Sequence, residues 1–135
     1  MIKGSCLCGS VVLEISSTPN SLSYCHCTRC RKAAGVFSAV LIGPVGDLTI
    51  TGGQEQIARY EPEAPFVHQR AFCKRCGSSL GDLATDDGIY VVAASVLDND
   101  LGLKPTVHIH TASKPDWYEI GDNLLKFESD YIPPT

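Results

Sequence analysis

The chain has 135 residues, 44% of them hydrophobic and 19% charged, with a net charge of −4 and a pI near 5.4. That size and balance suit one modest core, so a single domain over 1–135 is expected, and the acidic balance argues against nucleic acid or an anionic membrane as partner. The longest apolar run, IYVVAASVL, is too short to cross a bilayer. The N-terminal MIKGSCLCGS lacks the apolar core of a secretory leader, so the cytoplasm, where thiols stay reduced, is the expected compartment.

Along the chain, most segments carry the pattern of strands. SVVLEIS alternates apolar and polar residues from Val11. TRCRKAAG is the one helical stretch, with Thr28 placed to cap it and Gly35 to stop it. FSAVLI is β-branched and ends at a Gly-Pro turn, LTIT stops at Gly52 and Gly53, and QIARY ends before Pro62. VHQRAFC runs into a cysteine pair, and SLGDLA, GIYVVAAS and TVHIHT complete the strands. A short helix is expected at NDLG near residue 100, and DYIPPT reads as an ordered or fraying tail. The expectation is a mainly antiparallel β fold with one short helix after the second cysteine cluster.

Seven cysteines stand out, because all fall in tight groups: Cys6 and Cys8 as C-x-C, Cys25, Cys27 and Cys30 as C-x-C-x-x-C, and Cys73 and Cys76 as C-x-x-C. A secreted disulfide framework predicts an even, dispersed set. Metal binding accounts for the grouping, and zinc is the expected ion. Structural zinc takes four ligands, which Cys6, Cys8, Cys73 and Cys76 supply together, closing a long loop of chain. The triplet is then one ligand short, and three protein ligands with an open position is the pattern of catalytic zinc. A histidine completing it, from His26, His68, His108 or His110, is the alternative. His26 stands between two ligands and should point away from their metal, whereas His108 and His110 alternate on one expected strand face. Arg29, Arg31 and Lys32 flank the triplet, and Lys74 and Arg75 lie inside the outer pair, where they can offset thiolate charge.

The segments GSCLCGSV, YCHCTRCRKAAG, FCKRCGSSL and HIHTASKPDW, in that order, resemble the family of glutathione-dependent formaldehyde-activating enzymes and centromere-protein-V-type domains. The resemblance implies a β-tent-like fold with two zinc ions per chain. In it Cys6, Cys8, Cys73 and Cys76 hold the structural ion, and Cys25, Cys27 and Cys30 hold the second, catalytic one. It implies carbon–sulfur lyase chemistry, in which glutathione and formaldehyde join reversibly to S-(hydroxymethyl)glutathione. His110 and the KPDW stretch depart from the family's usual aromatic or bulky residue and KAPW, changes that can reshape a pocket wall.

In the corresponding mechanism a metal-held thiolate attacks the aldehyde carbonyl, and the new oxyanion needs a donor. His108, His110 and Lys114 are the candidates, with Arg29, Arg31 and Trp117 as candidate substrate-binding residues. The competing reading is a protein-binding module with two structural zinc sites and no catalysis. A redox role would need Cys73 and Cys76 free of metal.

Overall fold

The computed structural model describes residues 1–130. From Tyr131 onward, the expected tail DYIPPT lies outside the described residues. Among them are eleven strands and one α-helix. The strands are β1 (Ile2–Ser5), β2 (Val12–Ile15), β3 (Ser21–Cys25), β4 (Ser38–Pro44), β5 (Leu48–Gly52), β6 (Ile57–Tyr60), β7 (Arg70–Cys73), β8 (Ser79–Asp82), β9 (Ile89–Ala93), β10 (Val107–Ile109) and β11 (Leu125–Lys126). The helix α1 spans Thr28–Ala34. The fold is mainly β, as expected.

The strands form a small sheet, ordered β1-β2-β5, and a large one, ordered β11-β10-β3-β4-β9-β8-β7-β6. Both are antiparallel except where β10 runs parallel to β3 and β11. The alternation in VLEI sends Leu13 and Ile15 of β2 to one face. There they join Val11, Leu22, Leu41, Leu80, Tyr90 and Val92 in the main core, which also contains Cys6 and Cys73. Each such aliphatic side chain contributes about 1.5–3 kcal/mol when fully buried. A smaller cluster of Cys25, Cys30 and Val40 is packed by Ile42, Val91 and Ile109.

Several expectations change. The α1 cap is Cys27, whose sulfur accepts the Cys30 N–H, so the capping atom belongs to the metal-ligand candidates themselves. VHQRAFC is strand only from Arg70, since residues 61–69, interrupted by Pro62 and Pro65, join no strand ladder. NDLG forms no helix, because its polar side chains bond elsewhere: Asn99 accepts the Lys3 N–H and Asp100 accepts that of Gly102. TVHIHT stops at Ile109, and His110 turns to a left-handed φ of 56° before a 3-10 turn at Thr111–Ser113. His108 and His110 therefore share no strand face. Strands β1, β3 and β11 were not anticipated; serines in SLSYC mask the alternation of β3.

Candidate metal centres and the adjoining cleft

The outer pairs are two matching knuckles. After Cys8 and after Cys76 stands a glycine with left-handed backbone, Gly9 at φ 79° and Gly77 at φ 79°. Each folds its N–H back to the first cysteine of its pair: Gly9 to the Cys6 carbonyl at 3.0 Å and Gly77 to the Cys73 carbonyl at 2.7 Å. The tertiary fold then brings the two knuckles together, and the four sulfurs lie within 4.8 Å of one another.

The sulfur spacing tests whether a metal fits. Cys6 and Cys8 are 3.6 Å apart, Cys8 and Cys73 3.9 Å. A tetrahedron with metal–sulfur bonds of about 2.3 Å has edges of about 3.8 Å, whereas a disulfide is about 2.05 Å. All seven cysteines are free. The Val11 N–H donates to the Cys6 sulfur at 3.2 Å, and hydrogen bonds with Ser78 draw the Cys76 thiol down to about 5. The group is a soft, all-sulfur donor set, suited to zinc.

Cys25, Cys27 and Cys30 also gather within 4.8 Å, and no histidine or carboxylate joins them among the described residues. Cys25 ends β3, Cys27 caps α1 and Cys30 lies on its buried face. Hydrogen bonds from the flanking thiols Cys25 and Cys30 pull the Cys27 pKa far down, and sharing with Cys27 pushes that of Cys25 up. Three adjacent thiolates repel, so a cation must bind before all three ionise. One cation is already present: the Arg70 guanidinium points Nη1 at the Cys30 sulfur, 3.5 Å away. Its Nε is buried without a hydrogen-bond partner.

The histidines considered as fourth ligands have other roles. His26 points away from its two cysteine neighbours, as expected. Its ring stacks on His108, with centroids 5.0 Å apart and Nε2 2.7 Å from His108 Nδ1. His108 Nε2 meets the Asp122 carboxylate at 2.9 and 3.1 Å. A carboxylate only accepts, so His108 donates from Nε2 and accepts at Nδ1, and His26 donates from Nε2. His26 Nδ1 is left as a buried acceptor without a partner. Burial, followed by the neighbouring His108 and Lys114, lowers the His26 pKa. Both nitrogens of His108 are occupied, leaving none for a metal or a substrate oxygen. Parallel pairing of Ile109 with Cys25 and of His108 with Tyr24 creates this arrangement.

The other sequence candidates are dispersed. His110 is half-buried at the start of the 3-10 turn. Lys114 donates to the carbonyls of Pro115 and Tyr118, closing its own loop. Trp117 is 75% exposed, so it does not pack in the core. Arg31 is half-buried with an unpartnered Nε.

Arg29 is placed differently: it donates to the His68 carbonyl at 2.8 Å and lies over the Phe66 ring, 4.7 Å from its centroid. It lines an open cleft of about 460 Å³ with Lys32 and Ala33 of α1, Tyr60, Pro62, Glu63 and Phe66, and Arg70. Arg70 thus connects the cleft with the three-cysteine group. Sequence reading missed Arg70, because nothing in the local spacing of VHQRAFC marks it. It also missed Asp82, whose signal was available: the alternation of SLGD puts Asp82 at a buried position of β8, where it is 4% exposed.

With this geometry established, three comparisons bear on the chain. An uncharacterized lyase of Schizosaccharomyces pombe is 24% identical over 96% of this chain and 93% of its own length. A crystal structure of a Rhodobacter sphaeroides protein superposes with a TM-score of 0.58 at 25% identity, covering 73% of this chain and 89% of that one. The family model for the glutathione-dependent formaldehyde-activating enzyme matches residues 1–113, which include both cysteine groups. The chain belongs to the glutathione-dependent formaldehyde-activating enzyme family.

Proposed function

We propose that the protein is a zinc-dependent carbon–sulfur lyase that joins glutathione and formaldehyde reversibly, with the cleft beside Cys25, Cys27 and Cys30 as its substrate site. The observation that carries this reading is Arg70, which lines the cleft and also contacts the Cys30 sulfur. Arg70 therefore links a substrate lying in the cleft to the three-thiol group.

The charges of the cleft suit a tripeptide thiol. Arg29, Lys32 and Arg70 are cationic and Glu63 is acidic. Glutathione carries two carboxylates and one ammonium, which this set can complement. Arginine meets a carboxylate with a two-pronged fork, and Arg29 and Arg70 both line the cleft. Phe66 and Tyr60 supply apolar surface for the peptide stem.

Zinc held by Cys25, Cys27 and Cys30 would lower the pKa of an incoming thiol, so that the sulfur is a nucleophile near neutral pH. The four-cysteine group would hold a second zinc and stabilise the fold. The chain's own residues do the rest. Arg29, Lys32 and Arg70 bind and orient the substrate's carboxylates. Arg70 offsets the negative charge of the thiol group. The sulfur attacks the carbonyl carbon, the carbonyl π pair moves to oxygen, and a proton completes the hydroxymethyl group. The reverse path breaks the carbon–sulfur bond.

The test is the rate at which the S-hydroxymethyl adduct forms, followed by exchange NMR on zinc-loaded protein. Glutathione should react above the uncatalysed rate, and more efficiently than 2-mercaptoethanol, which lacks carboxylates. A rate no higher than the uncatalysed one, with both zinc sites filled, overturns the reading and favours a binding module.

A further inference from the structure

The reaction needs a proton carrier: the proton lost by the thiol must reach the hydroxyl oxygen of the product. Two of the three groups expected to serve are engaged elsewhere: His108 is occupied at both nitrogens and Lys114 closes its own loop, while His110 lies beyond the end of β10 at the start of a 3-10 turn. A different pair is joined to the residues of the site through the chain, a hydrogen bond and the sheet register. His68 Nδ1 is 3.1 Å from Asp82 Oδ2. The Asp82 carboxylate is 4% exposed, and its other oxygen faces the Ala84 N–H at 3.3 Å. The His68 ring is 43% exposed.

A buried carboxylate is costly, and an apolar residue of similar size would serve the β8 core position better. What the carboxylate does is set the imidazole. An ionised Asp82 only accepts, so it fixes the proton of neutral His68 on Nδ1 and leaves Nε2 as the working nitrogen. The pair is tied to the site in three ways. His68 lies in the chain between Phe66 and Arg70, both of which line the cleft. Its carbonyl accepts from Arg29, the neighbour of Cys30. Asp82 pairs in register with Val91, which packs against the cluster of Cys25, Cys30 and Val40. The charged groups around it are Asp82 on Nδ1, Arg29 on its carbonyl, and Glu61, bonded to the next residue, Gln69.

We propose that His68, oriented by Asp82, carries the proton between the substrate thiol and the hydroxyl oxygen of the adduct. The inference rests on the thiol–aldehyde reading above. In the forward direction Nε2 takes the thiol proton. The sulfur pair forms the C–S bond, the C=O π pair moves to oxygen, and that oxygen takes the proton back from Nε2. In reverse, Nε2 removes the hydroxyl proton, the carbonyl re-forms, and the C–S pair leaves on sulfur, which regains the proton. Each cycle returns His68 neutral, with no further reactant consumed. Asp82 is a positioning residue, acting only through the imidazole.

The test compares wild type with His68→Gln, His68→Ala and Asp82→Asn, each zinc-loaded and with its thermal unfolding recorded. His68→Gln should lower kcat by about 100-fold with little change in KM for glutathione. Asp82→Asn should lower kcat by about 10-fold and alter the pH profile, because the imidazole tautomer is no longer enforced. Imidazole added to His68→Ala should restore part of the rate, which a structural role would not allow. If His68→Gln keeps the wild-type kcat, or imidazole rescues nothing while His68→Ala is folded and zinc-loaded, the proposal is overturned. A wild-type protein with no thiol-dependent rate instead overturns the thiol–aldehyde reading, and this inference with it.

Discussion

The two cysteine groups use one ligand type in opposite surroundings. In the group of four, Cys6 and Cys73 are part of the main core, packed with Leu13, Leu80 and Val92. It joins two distant stretches of chain by matching knuckles. The group of three belongs to a small separate cluster around Val40, drawn from a strand end, a helix cap and a helix face only five residues apart in sequence. It ties down little chain, but it has a guanidinium at one sulfur and a cleft behind that guanidinium. Ligand number and chain closure set what each group can do. Under the proposed function, four sulfurs closing a long loop stabilise, and three sulfurs beside a cationic cleft would leave a coordination place for chemistry.

The largest effect that can break this contrast is expected at Cys73. In zinc-finger peptides structural zinc is worth about 10–16 kcal/mol, comparable with or above the net stability of a domain, about 5–15 kcal/mol. Cys73→Ser should therefore abolish the cooperative thermal transition and release one zinc equivalent, read by calorimetry and metal analysis. Cys27→Ser should do much less to the fold. Serine is itself a good helix cap and can accept the Cys30 N–H in place of the sulfur. A loss of about 1 kcal/mol, or roughly 3–5 °C in Tm, is expected, while activity falls to background. Equal destabilisation by the two substitutions would erase the distinction between the groups.

Next in size is Arg70→Gln, which keeps a polar, though shorter, side chain and removes the charge. The Tm should move by no more than about 3 °C, and kcat/KM for glutathione should fall by about 10- to 100-fold, consistent with a lost charge-assisted contact of about 1.5–3 kcal/mol. A larger loss for 2-mercaptoethanol than for glutathione would separate Arg70 from carboxylate recognition.

The smallest effect sharpens the core side of the comparison without touching a thiol. Tyr90 is fully buried in the cluster that holds Cys6 and Cys73, and its hydroxyl has no hydrogen-bond partner. Tyr90→Phe should leave stability unchanged or raise it by about 1 kcal/mol. Burial, followed by the charge of Asp47, raises the Tyr90 pKa above its ordinary 10.0. Its contribution to stability is thus complete below pH 10 and lost as pH rises through the folded value, because the unfolded chain ionises first. The wild-type Tm should fall more steeply above pH 10 than that of Tyr90→Phe.

Much of this was present in the chain order. Cysteine spacing alone separates four candidate ligands from three, because a knuckle's bite depends on the one or two residues between its cysteines. Alternation in VLEI and the β-branched runs of β4 and β9 specify strands, because strand side chains alternate with period two. Glycine after each outer pair signals the left-handed turn that closes it. The helix was legible from TRCRKAAG, although its capping atom proved to be the Cys27 sulfur.

What the sequence could not disclose was which distant side chains meet. The register of β10 on β3 places His108 on His26, with both of its ring nitrogens engaged. A single left-handed residue, His110, ends the strand that sequence alone extends. Arg70 at the Cys30 sulfur, and His68 on Asp82, are contacts across 40 and 14 residues of chain. Ligand spacing is local and survives in one dimension. Proton carriers and charge partners are set by strand register and loop closure, which exist only once the sheets have formed.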